Sequence, residues 1–294
     1  MSASVVDFIQ SLTETPENAI HLDFLDSYLS PGSKILVHPT TGLVASEKKM
    51  DQGSVLRYWS DQVFTSMDDL DYSASYPYAI GRLHYVINTI MKELAGIVDF
   101  NRLNLVDFAT GEGIFLDIVK SYFPNSCLRG TEGSKFLSEK MEKRGLDVLN
   151  VGLGQGENIR FEGAKIATLL WTLSCTANPY KMLENIYDAL PDESYLVVAE
   201  SSRILVPYKK SLSDMFRIDR PADIHPHYFS ANSLVSSLAT VGFRSIYLNR
   251  FHDSEVLLCI AKKSVPNHND LLPSDNKDLV IRFFKTWHHL SKDE

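Results

Sequence analysis

The chain has 294 residues, 44% of them hydrophobic, which is enough for one large core with additions or for two small ones. Its formal net charge of −8 and its pI near 5.6 argue against nucleic acid or an anionic membrane surface as the main partner. No apolar run is long enough to span a bilayer, no signal-peptide pattern is evident, and three widely spaced cysteines indicate reduced thiols, so we expect a cytoplasmic protein.

Residues 1–54 are predicted to form a small unit before the main domain. VVDFIQSL and HLDFLDSYL carry apolar residues at helical spacing, and KILVHPTTGLVAS predicts two short strands joined by a turn. The following segment, residues 55–95, is rich in aromatic side chains, and a helix is predicted after Pro77.

The most informative segment reads LNLVDFATGEG and occupies residues 103–113. Leu105 and Val106 suit a buried strand, while Gly111 and Gly113 allow a tight turn and a close approach of the backbone to a ligand. IFLDIVKSYF follows at helical spacing. The segment therefore predicts a parallel strand that passes into a helix at a cofactor site, although an ordinary turn without a ligand remains an alternative.

The residues around this turn discriminate between cofactors. A dinucleotide site has a third glycine where this chain has Leu116, and Asp107 at the strand end would repel a pyrophosphate but attract an ammonium group. An NAD(P)-dependent oxidoreductase therefore fits less well than a protein that binds a cationic cofactor.

A second acid follows at the end of the next predicted strand. Glu132, which precedes Gly133, lies nineteen residues after Gly113. A carboxylate accepts hydrogen bonds from both hydroxyls of a vicinal diol, so Glu132 is a candidate for binding a ribose.

Together, DFATGEG and Glu132 resemble motif I and the ribose-binding acid of Rossmann-like (class I) S-adenosylmethionine-dependent methyltransferases, whose motif I reads roughly [D/E]-x-G-x-G-x-G. Ala109 stands at the first glycine position, which predicts a slightly less open turn. The resemblance covers roughly residues 35–263 and implies S-adenosyl-L-methionine as the cofactor. The cofactor-binding residues that it implies are Asp107, Ala109, Thr110, Gly111, Glu112, Gly113, Glu132, Gly133, Leu153 and Leu173, with Tyr76 and Arg82 from a lid segment upstream of motif I. For the lid residues, core packing or a solvated face is an equal alternative.

The predicted fold class is α/β, with a doubly wound, seven-stranded, mostly parallel sheet and a C-terminal antiparallel hairpin. DVLNVG, AKIATLLWTLS and SYLVVAES predict strands, PYKMLENIYDAL and SANSLVSSLATVG predict helices, and RSIYLNRF with EVLLCIAKK predicts the hairpin. This order resembles the methyltransferase sheet, so residues 55–263 are interpreted as a methyltransferase domain with an N-terminal lid.

The acceptor side of the predicted site is less specific. Many relatives carry E-H in the loop that here reads SCTAN, so the usual general base is missing, and the N-P-P-[YF] signature of amide and adenine methylation is absent. His225 and His227, in the insertion at residues 203–228, are the candidate catalytic bases. A metal pair, or one packed and one exposed histidine, are the alternatives, and Cys175 is an alternative nucleophile.

The resemblance also extends to the N-terminal unit and suggests a subgroup. HPTTGLV, residues 38–44, falls on the second knuckle of the zinc module that begins sugar C-methyltransferases. Thr41 is not a plausible zinc ligand and no C-x-x-C is present, so we expect a degenerate module without metal.

Residues 264–294 change in character. SVPNHNDLLPSDNK predicts a linker, and DLVIRFFKTWHHL predicts an amphipathic helix with one broad apolar side. We expect this helix to dock on the helices of the sheet or to form a homodimer contact.

The sequence thus predicts an S-adenosylmethionine-dependent methyltransferase that acts on a small molecule, such as a sugar nucleotide or another natural-product intermediate. A catalytically silent, cofactor-binding structural or regulatory subunit is the first alternative, and an NAD(P)-dependent oxidoreductase is the second.

Overall fold

The computed structural model describes residues 1–59, 77–152, 159–201, 203–207, 211–216, 224–251 and 254–291. The strands of these residues are β1 (Ser2–Ser4), β2 (Ile20–His21), β3 (Ile35–Val37), β4 (Val44–Ser46), β5 (Asn104–Phe108), β6 (Cys127–Thr131), β7 (Asp147–Leu149), β8 (Ile166–Leu170), β9 (Tyr195–Glu200), β10 (His227–Tyr228), β11 (Phe243–Leu248), β12 (Leu257–Lys263) and β13 (Leu271–Pro273). The helices are α1 (Val5–Thr13), α2 (Gln52–Arg57), α3 (Pro77–Glu93), α4 (Ile114–Tyr122), α5 (Lys135–Lys143), α6 (Pro179–Ala189), α7 (Leu212–Phe216), α8 (Ala231–Thr240) and α9 (Lys277–Leu290). None of the helices in these ranges is long and apolar enough to cross a bilayer.

The central sheet has seven strands in the order β11-β12-β9-β8-β5-β6-β7, which confirms the predicted fold class. Strands β5 to β9 run parallel, whereas β12 is antiparallel to both of its neighbours. The strand order reverses direction at β5, which pairs with β6 on one side and with β8 on the other. In open α/β sheets ligands bind at such a switch point, outside the carboxyl ends of the strands.

Both faces of the sheet are covered, which explains why most residues of its central strands are apolar. On β5, Leu105 packs on the face covered by α3 and α4, and Val106 packs on the face covered by α6 and α8. All six residues of β9 are buried. The predicted fourth strand is shorter than its sequence pattern, because a 3-10 turn at Leu173–Cys175 follows β8.

The N-terminal unit makes extensive contacts with the rest of the chain. Helix α1 packs on α6 and α8, and β1 pairs with β13. Strand β13 lies in the segment predicted to be a linker, so that prediction is wrong for Leu271–Pro273. The second predicted helix of the unit is a 3-10 helix, Asp23–Tyr28.

The predicted hairpin, β3 and β4, is confirmed and lies in a second sheet of order β10-β4-β3-β2. Its turn is closed by a side chain: Nδ1 of His38 accepts hydrogen bonds from the backbone N–H groups of Thr40 (3.3 Å) and Thr41 (3.2 Å). No group of three His, Cys, Asp or Glu side chains in the described ranges is arranged to hold a metal.

The apolar side of the C-terminal helix α9 packs on the N-terminal unit and α7 rather than on the helices of the central sheet, so the first of its two predicted docking modes is wrong. The predicted homodimer contact stays a prediction. Its Val280, Phe284 and Trp287 are buried in a cluster with Val37 of β3 and Phe216 of α7. The small β10-β4-β3-β2 sheet presents apolar side chains that need cover, and α9 supplies it.

Gly42 provides a test of how the N-terminal hairpin is held. Its φ is +70°, and a Cβ at this position would lie 2.5 Å from the backbone oxygen of Asp275. We expect Gly42→Ala to lower the free energy of unfolding by more than about 2 kcal/mol, because it combines left-handed strain with a backbone clash. Urea unfolding followed by circular dichroism measures the change.

The matched control is Gly81→Ala in α3, where a Cβ would meet no atom within 4 Å. Alanine is the better helix former, so this variant should gain about 1 kcal/mol. Equal effects of the two substitutions would show that the contact with Asp275 does not constrain Gly42.

Candidate functional site

The turn after β5 is held open in a glycine-like conformation. Ala109, Gly111 and Gly113 all have left-handed backbones, with φ of +53°, +60° and +74°. The N–H groups of Ala109 and Thr110 donate to Thr131, to its Oγ1 at 3.2 Å and to its carbonyl oxygen at 2.9 Å. Ala109 therefore adopts the conformation of the glycine that it replaces, at a cost of about 1 kcal/mol.

Glu132 lies directly across from this turn. Its Oε2 accepts a hydrogen bond from the N–H of Gly111 (2.9 Å), and its Oε1 accepts one from the N–H of Ser134 (2.8 Å). The side chain is buried, and burial raises its pKa. Each carboxylate oxygen retains a lone pair for a further donor, as a ribose diol would require.

Asp107 is buried below the same turn and belongs to β5. Oγ1 of Thr168, on the neighbouring strand β8, donates to its carboxylate at 2.5 Å. Burial raises its pKa to about 6, and no cationic side chain of the described residues offsets this rise. The carboxylate is therefore a negative charge that lacks a counter-charge within the described protein.

Three of the other residues predicted to contact the cofactor, Glu112, Leu173 and Arg82, contact other parts of the protein. Glu112 forms an ion pair with Lys140 of α5 at 3.5 Å, and Leu173 is fully buried in the core. Arg82 of α3 pairs with Glu255, just before β12. Tyr76 and Leu153 lie outside the described residues.

Helix α2 lies across the carboxyl ends of the parallel strands, a placement that the sequence patterns did not predict. Leu56 packs directly on Gly133, where a Cβ would lie 2.5 Å from the leucine side chain. Oε1 of Gln52 accepts a hydrogen bond from Oγ1 of Thr176 at 3.1 Å. The helix thus spans the distance from β6 to the loop after β8. Its one local signal is Asp51, whose side chain caps the helix through the N–H of Ser54.

Glu200 is a third buried acid at the edge where the parallel strands end, and the sequence patterns did not predict it as a site residue. It ends β9, and its two carboxylate oxygens accept hydrogen bonds from the N–H (3.1 Å) and the hydroxyl (2.7 Å) of Ser174. Burial raises its pKa to about 7. The sequence signal was an acid that closes the apolar run SYLVVAE, as Asp107 does in β5.

The two candidate bases are in different environments. Nδ1 of His225 lies 3.1 Å from Sγ of Cys175, whose thiol in turn donates to the carbonyl oxygen of Trp171 at 3.5 Å. His227 is fully buried in β10, and burial lowers its pKa well below the ordinary value. Burial also raises the pKa of the Cys175 thiol, which keeps it protonated and disfavours it as a nucleophile.

The family of the chain follows from comparison with known proteins. A family model described as a methyltransferase domain matches residues 80–248, which is more than half of the chain. The chain belongs to this methyltransferase family. Comparison with curated proteins gives no match.

Solved methyltransferase structures share the fold. Magnesium protoporphyrin IX methyltransferase (ChlM) from Synechocystis PCC 6803, solved with bound SAH, is 12% identical, with a TM-score of 0.53 over 73% of this chain and 100% of that one. A SAM-dependent methyltransferase from Thermotoga maritima is 15% identical, with a TM-score of 0.50 over 71% of this chain and 100% of that one. Three other structures match with TM-scores of 0.45 to 0.47, and this chain spans only 53% to 55% of their length. At these identities the likeness shows the fold alone.

Glu200 of this methyltransferase should make stability depend on pH. Its pKa of about 7 lies above the ordinary 4.5, so between these values the folded state holds a proton that the unfolded state releases. The free energy of unfolding should therefore fall as pH rises from 4.5 to 7, by up to ~3 kcal/mol. We expect Glu200→Gln to remove this contribution, as measured by urea unfolding at pH 5, 6, 7 and 8.

Glu162→Gln is the control, because Glu162 is exposed and should leave the pH dependence unchanged. If the free energy of unfolding changes with pH by the same amount in Glu200→Gln and in the native protein, the prediction is contradicted.

Proposed function

We propose that this methyltransferase transfers the methyl group of S-adenosyl-L-methionine to a small-molecule acceptor. One observation carries the proposal: two buried carboxylates, Asp107 and Glu132, flank a turn whose backbone is held open. Asp107 is suited to a positively charged group and Glu132 to a diol. S-adenosyl-L-methionine contains a positively charged amino group and sulfonium and a ribose diol.

The residues at the turn fit this cofactor. Asp107 lacks a cationic partner among the described residues, so an amino group or sulfonium would supply its missing counter-charge. A Cβ on Gly111 would meet no atom within 4 Å, which indicates open space above the turn. The cofactor, when bound, supplies an already activated methyl group, so the task of the protein is mainly to align the acceptor.

We assign the base on the acceptor side to His225. The thiol proton of Cys175 is directed to the carbonyl oxygen of Trp171, so Sγ can accept a hydrogen bond from the Nδ1–H of His225. In that tautomer Nε2 keeps its lone pair and is the atom that would take a proton from the acceptor. His227 is fully buried, and we assign it a packing role.

The geometry also supports a small acceptor. Helix α2 lies across the mouth of the sheet, and β10, within the insertion at residues 203–228, pairs with β4 of the N-terminal unit. These two elements cover part of the edge at which the strands end. We propose a natural-product intermediate as the class of acceptor, and a sugar nucleotide, the example that the resemblance suggests, is the alternative.

Calorimetric titration tests the cofactor directly. We expect S-adenosylhomocysteine to bind at micromolar concentration and NAD to give no heat of binding, because the turn has acids where a pyrophosphate would lie. No binding of S-adenosylhomocysteine would overturn the proposed function. Binding without methyl transfer to any member of a broad acceptor panel would favour the silent-subunit alternative.

The pH dependence of this binding tests the role of Asp107. With a pKa of about 6, its carboxyl group is mostly protonated at pH 5 and mostly ionised at pH 7. The affinity for the ammonium group of S-adenosylhomocysteine should therefore rise about tenfold over this range.

In Asp107→Asn we expect weaker binding and a much flatter pH profile by the same titration. Asp147→Asn, an exposed position at the opposite edge of the sheet, should keep the rise. A tenfold rise that persists in Asp107→Asn would assign the titration to another group.

A further inference from the structure

Arg203 is a cationic side chain in which two of the three guanidinium nitrogens have no hydrogen-bond partner among the described residues. It lies three residues beyond β9, and its Nε and Nη1 are buried without a hydrogen-bond partner in the described structure. Its Nη2 donates to the carbonyl oxygen of Asn249 at 3.4 Å, near the limit for such a bond. Buried donors without acceptors are rare in native proteins, because each costs free energy relative to water.

The groups that surround Arg203 do not neutralise its charge. The guanidinium carbon lies 5.9 Å from the centre of the Phe251 ring, and Asn249 connects it to the hydroxyl of Tyr85 through a 3.1 Å hydrogen bond. No carboxylate of the described residues forms an ion pair with it, and burial lowers its pKa. The chain therefore holds a partly desolvated positive charge without a counterion, which is an unfavourable arrangement unless a ligand completes it.

The position of Arg203 relates it to the proposed site. Strands β9 and β11 run parallel to β5, β6 and β8, so Arg203 and Asn249 follow strand ends at the same edge of the sheet as the glycine turn. Arg203 and Asn249 lie on one side of β8 and Glu132 lies on the other. The side with Arg203 is the one that the proposed function assigns to the methyl acceptor. A second buried donor without a partner, Nε1 of Trp171, follows the end of β8.

Trp171 has the further feature of a left-handed backbone, with φ of +55°. A bulky residue in this conformation is strained, and such strain concentrates at functional sites. Two neighbouring strands thus each end near an N–H donor that the described protein leaves unsatisfied.

Building on the proposed function, we propose that Arg203 binds a carboxylate group of the methyl acceptor. The guanidinium is planar and presents forked N–H donors that match the two oxygens of a carboxylate. The acceptor is therefore a carboxylic acid, and its reacting atom lies toward β8, where the cofactor methyl group is expected.

A carboxylate fits the charge balance better than a diphosphate. Two groups of the described residues contact the guanidinium, the backbone carbonyl oxygen of Asn249 and the ring of Phe251, and neither adds a positive charge. Arg82, at the same edge, is paired with Glu255. One guanidinium balances one negative charge. The aromatic rings of Tyr85, Phe251 and Trp171 suit an apolar or aromatic body attached to that carboxylate.

The methionine carboxylate of the cofactor is a second source of the same chemistry, and the experiment separates the two. Arg203→Met keeps the aliphatic length and removes the donors, and Arg244→Met, at an exposed position on β11, is the matched control. We expect the affinity for S-adenosylhomocysteine to change less than twofold in both variants. A tenfold loss in Arg203→Met alone would assign Arg203 to the cofactor and overturn the proposal.

The second part of the experiment tests whether the acceptor site binds small carboxylates, with the protein saturated with S-adenosylhomocysteine. Benzoate, phenylacetate, 4-hydroxybenzoate and hexanoate are compared with their primary amides by thermal shift and calorimetry, with inorganic phosphate and uridine diphosphate as other anions. We expect at least one carboxylate to bind while its amide does not, and to bind at least tenfold more weakly to Arg203→Met but normally to Arg244→Met. Arg203-dependent binding of only the phosphate probes, or binding of no carboxylate, would overturn the proposal.

The stability of the unliganded variant provides an independent readout. Because Arg203 carries unsatisfied buried donors, Arg203→Met should melt at the same temperature as the native protein or higher, whereas loss of a structural arginine would lower it. A melting temperature lowered by several degrees would contradict a ligand-binding role. If S-adenosylhomocysteine itself fails to bind the native protein, the proposed function fails, and the carboxylate probes are then scored on the unliganded protein.

Discussion

The site depends on how the ends of two adjacent parallel strands are joined. Three successive N–H groups after β5, those of Ala109, Thr110 and Gly111, donate to Thr131 and Glu132 at the end of β6. These bonds hold the turn in a left-handed conformation that the chain would otherwise avoid. The backbone is therefore ordered before any ligand arrives, and binding does not have to supply that conformational entropy.

The same edge of the sheet concentrates groups that oppose folding. Asp107, Glu132 and Glu200 are buried acids with raised pKa values, and Arg203 is a half-buried cation with unsatisfied donors. The apolar layers on both faces of the sheet offset these costs. Such a distribution, with a stable sheet and a strained, charged edge, is typical of a protein in which the edge binds ligands.

Sequence patterns predicted the parts of the structure that depend on local chemistry. The strand with Asp107, the turn at Gly111 and the acid Glu132 follow from residue types at short spacing, and their positions in the fold agree. Pairing of β1 with β13, docking of α9 on the N-terminal unit and the placement of α2 over Gly133 join segments that are distant in sequence. No periodicity encodes such contacts, because each depends on which apolar face another element leaves exposed.

The histidines show how far this limitation reaches into the site. His225 and His227 are two residues apart and are indistinguishable by type, yet β10 pairs with β4 and buries only the second. The turn of the hairpin that supplies β4 is closed by two hydrogen bonds to Nδ1 of His38. The N-terminal unit contributes β4, which pairs with β10 next to His225, and α2, which follows the unit, lies over Gly133. The first sixty residues therefore determine the surroundings of both halves of the site, although the sequence motifs that identify the methyltransferase lie elsewhere.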